Sequence, residues 1–220
     1  MNLPVSRTKE TITVLLIDDH PVVLDGYGRL LDKTPGIKVV AKASNGETAC
    51  ELYQKHLPDV AILDLNMPGI GGLETLRRIR AKNPEAHILV FTMHDNATLI
   101  QRVMEAGATG YITKQSGVSQ MVEAVRQVAN GKLFVDLKHI PDLMHWSINP
   151  PNDPIRLLSE REFQLFQLLA EGYSVMEIAE ILSISPKTAG VHHTSIMKKL
   201  GVKNTVQLVR LAIQQGIIQP

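Results

Sequence analysis

The chain has 220 residues, a formal net charge of +1 and 44% hydrophobic residues. Its length favours two small domains or one large domain, and its hydrophobic content excludes an intrinsically disordered chain. The single cysteine, Cys50, excludes an intrachain disulfide and a cysteine-rich metal site, and it fits a reducing compartment. The longest early apolar run, residues 14–17, is too short for a signal peptide or a membrane span, so we expect a soluble, cytoplasmic protein.

Strand and helix patterns alternate as far as residue 131. Apolar runs predict five buried strands, at residues 12–17, 37–43, 60–64, 87–92 and 110–113. Capping signals, helical spacing of apolar residues and glycine or proline breaks predict a helix after each strand, at residues 21–34, 46–56, 73–83, 96–106 and 118–130. This alternation is typical of an α/β fold with a parallel, doubly wound sheet, which we assign to residues 12–131.

The composition changes after residue 131. Four prolines between residues 132 and 156 predict a linker, and residues 1–11 are predicted to form an N-terminal tail. Ser159 and Ser174 each precede a glutamate by three positions, as in a capping box. Four helices follow, at about residues 160–171, 175–182, 186–200 and 205–215. We therefore expect a separate all-α, four-helix domain in residues 157–220.

Five polar residues follow strands that should lie in one sheet. Asp18 and Asp19 follow the first strand, Asp64 the third, Thr92 the fourth and Lys114 the fifth. Taken alone, these could be unrelated strand ends, but the carboxyl ends of parallel strands meet at one edge, where ligands bind. Clustered carboxylates favour a hard cation such as Mg²⁺, and an ammonium and a hydroxyl can bind an oxyanion. The set predicts transfer of a phosphoryl group to a carboxylate. No glycine-rich phosphate loop indicates a nucleotide ligand.

The same residues carry a family resemblance. Residues 12–130 resemble the receiver domain of bacterial two-component response regulators, through Leu16-Ile17-Asp18-Asp19-His20-Pro21, Leu63-Asp64-Leu65-Asn66-Met67-Pro68-Gly69, Thr92 and Gly110-Tyr111-Ile112-Thr113-Lys114. The resemblance implies a flavodoxin-like (βα)5 receiver with a five-stranded parallel sheet. It also implies a partner, a sensor histidine kinase, that supplies the phosphoryl group.

The resemblance implies a chemical role for each residue at the site. Asp64 would be the phosphoacceptor. Asp18 and Asp19 would hold Mg²⁺ together with Asp64, and Asn66 would contribute its backbone carbonyl. Lys114 would contact the phosphoryl group.

A conformational switch is also implied. By the resemblance, Thr92 moves to bind the phosphoryl group and Tyr111 swings inward with it, which alters the surface of helix 96–106. Many receivers have a proline, preceded by a cis peptide bond, after the lysine; here Gln115 follows Lys114. A cis bond before a residue other than proline costs about 3–4 kcal/mol, so we predict a trans bond and an altered loop.

The predicted helix 186–200 has a small, polar and cationic outward face. No aspartate or glutamate occurs from residue 181 to residue 220. A short helix and a three-residue turn precede it, which is the spacing of a helix-turn-helix motif, whose second helix enters the DNA major groove. The pattern alone also fits a solvated helical hairpin or a protein-binding surface.

A second resemblance covers about residues 157–216. They resemble the output domain of the NarL/FixJ (LuxR-type) regulators, through Leu158-Ser159-Glu160-Arg161-Glu162, Met176-Glu177-Ile178-Ala179, Pro186-Lys187-Thr188, Val191-His192 and Lys198-Lys199-Leu200-Gly201-Val202. By this resemblance, bases are contacted by Gly190, Val191 and Thr194, and phosphates by Lys187, Thr188, Lys198 and Lys199. Some relatives carry lysines at the positions of Gly190 and Thr194, so we expect a shallower salt dependence of DNA binding here.

The two resemblances together predict a non-enzymatic transcription regulator. It would bind double-stranded DNA as a homodimer and would be switched by Mg²⁺-dependent phosphorylation of Asp64. One alternative is a phosphohydrolase with an aspartyl nucleophile, although such enzymes usually have two aspartates separated by one residue, whereas Asp18 and Asp19 are adjacent. The other is a regulator that works without phosphorylation, or whose basic helix contacts protein.

Overall fold

The structure, a computed structural model, describes residues 11–93, 95, 97–136 and 154–218. It contains an α/β unit in the described residues up to 136 and a helical unit in residues 154–218. The predicted N-terminal tail, except for its last residue, and the greater part of the predicted linker lie outside the described residues.

A parallel sheet forms the centre of the α/β unit. Its strands are β1 (Ile12–Ile17), β2 (Ile37–Ala43), β3 (Val60–Leu63), β4 (Ile88–Thr92), β5 (Gly110–Thr113) and β6 (Phe134–Val135). They lie in the order β2-β1-β3-β4-β5-β6, and every neighbouring pair is parallel. The side chains of β3 are fully buried, which explains why this strand is a continuous aliphatic run without polar alternation.

Helices cover both faces of the sheet. They are α1 (Pro21–Asp32), α2 (Gly46–His56), α3 (Gly71–Lys82), α4 (Ala97–Glu105) and α5 (Val118–Ala129). The apolar sides of α1 and α5 pack on one face, and those of α2, α3 and α4 pack on the other. The predicted doubly wound α/β architecture is therefore confirmed.

Within the residues that the structure describes, the sheet has six strands, so the prediction of five was wrong. β6 has two residues, Phe134 and Val135, which pair with Gly110 and Tyr111 of β5. They lie in the segment that the sequence assigned to the linker. The apolar run at residues 133–135 is too short for its pattern to distinguish a strand from a loop. It forms a strand only because it can pair with the edge of β5.

The helical unit begins with a 3₁₀ turn (Pro154–Leu157), and α6 (Glu160–Ala170), α7 (Val175–Ile181), α8 (Pro186–Leu200) and α9 (Thr205–Gln214) follow. Both predicted capping boxes are present, at Ser159 and Ser174. Ser185 caps the start of α8, and Gly201 ends the helix in the left-handed conformation, as the sequence predicted. None of the helices in the described ranges combines the length and the apolar composition needed to cross a membrane.

The cores of the two units are continuous. A single cluster of buried apolar side chains includes Leu73 of α3 and Val103 of α4, and it extends to Ile155, Phe163 and Phe166 of the helical unit. The two units are therefore docked on the side of the sheet that α3 and α4 cover.

Candidate functional site

Three strand ends bring Asp18, Asp64 and Lys114 into contact. The amide of Asp64 donates to the carbonyl of Ile17 at 2.9 Å, and the amide of Lys114 donates to the carbonyl of Thr92 at 2.7 Å, so the strand ends are in register. Lys114 Nζ lies 2.6 Å from Asp18 Oδ2 and 2.7 Å from Asp64 Oδ2. Since Asp18 and Asp64 are only 1% and 2% exposed, one ammonium bridges two buried carboxylates.

Asp19 and His20 complete a cluster of possible metal ligands. One ligand atom from each of Asp18, Asp19, His20 and Asp64 lies within 4.8 Å of all the others. The buried oxygens Asp18 Oδ2 and Asp19 Oδ1 accept no hydrogen bond of good geometry from the described part of the chain. Three clustered carboxylates, two of which have a buried oxygen without a hydrogen bond of good geometry, form a donor set that suits a hard divalent cation such as Mg²⁺.

His20 is a member of this cluster that the sequence analysis missed. Its Nδ1 lies 2.8 Å from Asp19 Oδ1 and 3.1 Å from Asp18 Oδ1. The signal that could have identified it is its position, directly after two acidic residues at the end of a strand.

The electrostatics of the site favour a reactive carboxylate beside a fixed cation. Burial raises the pKa of the Asp64 carboxyl, although the hydrogen bond and charge of Lys114 oppose this shift. Burial alone would lower the pKa of Lys114, but its bonds to Asp18 and Asp64 outweigh burial and raise it. Lys114 is therefore held in its charged form. A desolvated carboxylate next to such a cation can attack an electron-poor phosphorus.

The remaining residues predicted for this site surround the same strand ends. Thr92, at the end of β4, and Tyr111, in β5, are both fully buried, and burial raises the pKa of the Tyr111 phenol, which stays neutral. The amide of Leu65 donates to Asp64 Oδ1 at 2.7 Å, and the amide of Asn66 lies 3.4 Å from the same oxygen. The loop after β3 is thus held by the Asp64 carboxylate.

Gln115 follows Lys114 through a trans peptide bond, because no cis bond occurs in the described parts of the chain. The prediction of a trans bond at this position is confirmed.

The outward face of α8 is a shallow, open surface. It is lined by Lys187, Gly190, Val191, Thr194, Ser195 and Lys198. Val191 is 64% exposed, and the buried side of the helix carries Ala189 and Ile196. Six of the seven residues predicted to contact DNA are at this face or, like Thr188, in the exposed first turn of the helix.

Lys199, the seventh, contacts another helix in this structure. Its Nζ lies 2.6 Å from Oε2 of Glu162, a residue of α6 that is only 4% exposed. Glu162 also accepts hydrogen bonds from the Ser195 hydroxyl at 2.6 Å and from the Ser159 amide at 2.7 Å. Lys199 therefore attaches α8 to α6, a role that helical spacing alone did not indicate.

Arg102 is a second residue that the sequence analysis missed. It lies in α4, is 8% exposed, and donates to the carbonyls of Ile155 and Leu158 at 2.9 Å each. Its guanidinium lies 4.3 Å from the centre of the Phe163 ring, within the range of a cation–π interaction. This one side chain joins the α/β unit to the helical unit.

Comparison with known proteins gives matches to both units. Residues 14–126 match the family model for the response regulator receiver domain, and residues 156–212 match that for bacterial regulatory proteins of the luxR family.

Full-length relatives share both units. The chain is 38% identical over 208 residues to the response regulator UvrY of Escherichia coli strain K12, covering 94% of this chain and 95% of that protein. It is 36% identical to the response regulator GacA of Pseudomonas aeruginosa, covering 94% and 98%. A structure of RcsB from Salmonella enterica serovar Typhimurium, bound to promoter P1flhDC in the presence of the phosphomimetic BeF3⁻, matches with a TM-score of 0.65 and 29% identity, covering 91% and 98%. The chain belongs to the NarL/FixJ (LuxR-type) family of DNA-binding two-component response regulators.

Proposed function

We propose that phosphorylation of Asp64, by a sensor histidine kinase or a small acyl phosphate, switches this regulator. The observation that carries the proposal is the Lys114 ammonium, 2.6 and 2.7 Å from the carboxylates of Asp18 and Asp64. Burying three charged groups costs more free energy than filling the same space with apolar side chains. Such a cluster therefore indicates a chemical role rather than a contribution to stability.

In the transfer step, an Asp64 carboxylate oxygen attacks the phosphorus of the donor. The new O–P bond forms as the bond from phosphorus to the donor nitrogen or oxygen breaks, and the electron pair leaves with the donor. Lys114 balances the charge of the incoming phosphoryl group, and the Thr92 hydroxyl donates a hydrogen bond to it. Tyr111 follows Thr92, and the surface of α4 changes.

The cation for this reaction would be Mg²⁺. The carboxylates of Asp18, Asp19 and Asp64 and the backbone carbonyl of Asn66 would hold it, and the clustering of the three carboxylates fits that role. When bound, Mg²⁺ neutralises charge on the phosphoryl oxygens.

The output is DNA binding by a homodimer in the cytoplasm. Gly190, Val191 and Thr194 would contact bases, while the phosphate contacts would come from Lys187, Thr188, Lys198 and Lys199. The similar RcsB structure, which holds promoter DNA together with a phosphomimetic, supports linking the two activities. Two-fold symmetry would place the half-sites about one helical turn of DNA apart.

The experiment that tests the phosphoacceptor is labelling of Asp64→Asn. Incubation with acetyl phosphate and Mg²⁺ should add one phosphoryl group to the wild-type chain and none to the variant, as measured by intact mass. Asp25→Asn, at an exposed aspartate of α1, is the matched control and should label normally. Full labelling of Asp64→Asn would show that another residue accepts the phosphoryl group.

A further inference from the structure

A cavity of about 430 Å³ lies between α2 and α3, close to the C-terminal ends of both helices. Asp64, by contrast, precedes the N-terminal end of α3, so the cavity and the proposed phosphoacceptor are at opposite ends of that helix. Cys50, Leu57 and Ile79 form the apolar wall of the cavity. Small-molecule sites commonly have volumes of about 300–1,000 Å³ and a mostly apolar lining with a few oriented polar groups. The cavity has the size and the lining of such a site.

Leu57 is held at the wall of this cavity in an unfavourable backbone conformation. It caps the C-terminal end of α2 with φ 42° and ψ 59°, in the left-handed region that glycine and asparagine usually occupy. Its side chain is nevertheless 66% exposed, so burial does not compensate for the backbone strain. Strain of this kind is concentrated at functional sites. A ligand that covers Leu57 would offset this cost.

The polar groups around the cavity include two cations. Arg78 and Lys82 line it, and none of the described residues that line it is acidic. Burial raises the pKa of the Cys50 thiol, and the charges of Arg78 and Lys82 oppose this shift, so both cations act on the wall of the cavity. Arg78 forms its ion pair with Glu74 through Nε at 2.7 Å, which leaves the two terminal nitrogens of the guanidinium for another partner. The cavity is therefore complementary to an anion.

Tyr53 adds a hydrogen-bond donor on the buried side of the cavity. Its hydroxyl accepts a hydrogen bond from the side-chain amide of Asn83 at 3.3 Å, which leaves the phenolic proton to be donated. Burial raises the pKa of this phenol, so the phenol keeps its proton at neutral pH. An apolar wall beside two cations and a phenol donor suits a molecule with an apolar body and a carboxylate head.

We propose that this cavity binds a small monocarboxylate with an apolar body. The carboxylate lies between Arg78 and Lys82 and accepts a hydrogen bond from Tyr53, while the apolar body packs against Leu57 and Ile79. Binding requires neither Mg²⁺ nor phosphorylation, because none of the residues of the carboxylate cluster at the strand ends lines the cavity. A ligand that binds only the folded receiver also stabilises it by mass action.

The probe is octanoate, and Cys50, the single cysteine of the chain, is the reporter. Octanoate should slow alkylation of Cys50 by iodoacetamide in the full chain, measured by intact mass, because the apolar body covers the thiol. Calorimetry should give a dissociation constant of roughly 1 mM or lower, as expected for a ligand of this size. Octanol and octylamine should bind at least about fivefold more weakly, because they lack the negative charge.

Two variants separate the roles of the charge and the apolar wall. Lys82→Gln should weaken octanoate binding about fivefold or more and leave octanol binding unchanged. Leu57→Asn should weaken the binding of both, yet raise the unfolding temperature of the ligand-free chain, because asparagine tolerates the left-handed conformation. A leucine kept only for packing would instead lose stability when replaced. Lys38→Gln, at an exposed position of β2, is the control and should bind octanoate as the wild type does.

Each alkylation rate is compared with that of the same variant without ligand, since the charge of Lys82 itself affects the pKa of Cys50. Octanoate that neither protects Cys50 nor binds by calorimetry would overturn the proposal. Equal affinity for octanol, or unchanged binding in both Lys82→Gln and Leu57→Asn, would overturn it too. Asp64→Asn should bind octanoate normally, so the result does not depend on whether Asp64 accepts a phosphoryl group.

Discussion

Glu162 is a buried residue of α6 that bonds to two side chains of α8. It is buried at the start of α6 and accepts hydrogen bonds from the Ser159 amide, the Ser195 hydroxyl and the Lys199 ammonium. Burial alone would raise its pKa, but these bonds outweigh burial and lower the pKa to about 2. A single ionised carboxylate thus holds α8, the helix that we propose contacts DNA, from its buried side.

Replacing this carboxylate should cost stability in a pH-dependent way. The pKa of Glu162 in the folded state lies below its ordinary value of 4.5, so its contribution is fully present above about pH 4.5 and is lost as the pH falls towards 2. At pH 7, Glu162→Gln should lower the free energy of unfolding by an amount on the order of 3 kcal/mol, measured by urea denaturation of the full chain. Below about pH 4, the difference from the wild type should shrink.

Glu177→Gln is the control for this measurement. Glu177 occupies the same capping-box position in α7, with Ser174 as its partner, but it is exposed to solvent. Its replacement should cost less at every pH. Equal losses in the two variants would show that the capping box, and not the bonds to Ser195 and Lys199, gives Glu162 its effect.

At the residue scale, the sequence predicted those site residues whose positions follow from where a strand ends. Asp18, Asp64 and Lys114 were found because an apolar run shows where a strand ends, and parallel strands end at one edge. The pairing of Lys199 with Glu162 was not found, because helical spacing gives the direction of a side chain but does not show which neighbouring helix approaches it.

At the scale of one element, the structure of α8 does not require a glycine at position 190. An added Cβ at Gly190 would meet nothing within 4 Å. Gly190→Ala should therefore raise the free energy of unfolding by about 0.5–1 kcal/mol, because alanine favours helix more than glycine does. If the backbone approaches DNA here, the same change should weaken binding to promoter DNA, measured by fluorescence anisotropy.

Gly26→Ala is the matched control, since Gly26 lies in α1, is exposed, and also has open space around an added Cβ. It should stabilise the chain to a similar extent and leave DNA binding unchanged. A Gly190→Ala variant that binds promoter DNA as tightly as the wild type would exclude a close approach of this backbone to DNA.

The lysines of α8 should act on all DNA sequences alike. Lys198→Gln removes an exposed ammonium that we place on a phosphate, so affinity should fall uniformly and the salt slope should decrease by about one. The measurement is affinity against salt concentration, for promoter and for unrelated duplexes. Lys38→Gln, at an exposed position of β2, should change neither. A loss confined to the promoter would mean that Lys198 contacts bases.

Element prediction succeeded where a pattern is long and failed where it is short. The capped helices α6, α7 and α8 were predicted with their starting residues, because serine caps and glutamates at fixed spacing are local signals. β6 was missed because two residues are too few to show an alternating pattern. They form a strand only by pairing with the edge of the sheet at β5.

At the scale of the whole molecule, Arg102 joins the two units. Arg102→Met removes two hydrogen bonds from a charged donor and the contact with the Phe163 ring. Each such bond contributes roughly 1.5–3 kcal/mol, and desolvation of the guanidinium offsets part of this. Amide hydrogen exchange in residues 154–170 of the full chain should therefore accelerate about tenfold or more. Arg126→Met, at an exposed arginine of α5 that donates to the Pro35 carbonyl, should leave exchange there unchanged. Unchanged exchange in Arg102→Met would show that the other contacts between the units are sufficient for docking.

The arrangement of the two units could not be predicted from the sequence. A proline-containing linker permits either a docked or a free output domain, and nothing in the pattern of α4 distinguishes Arg102 from an ordinary surface arginine. The contact is visible only when the carbonyls of Ile155 and Leu158 are brought to it by the fold.

Four hydrogen bonds between the two units run from a side chain of one to the main chain of the other, and the ion pair of Arg156 with Glu105 joins two side chains. Arg102 bonds to the carbonyls of residues 155 and 158, and Arg161 and Gln164 bond to those of residues 69 and 70. Every residue offers a main-chain oxygen, so the accepting positions can change identity without losing the bond. Paired substitutions are therefore not required for these four bonds to persist. Each of them can be lost by a change at its donor alone, one residue at a time, whereas the pair of Arg156 and Glu105 depends on both side chains.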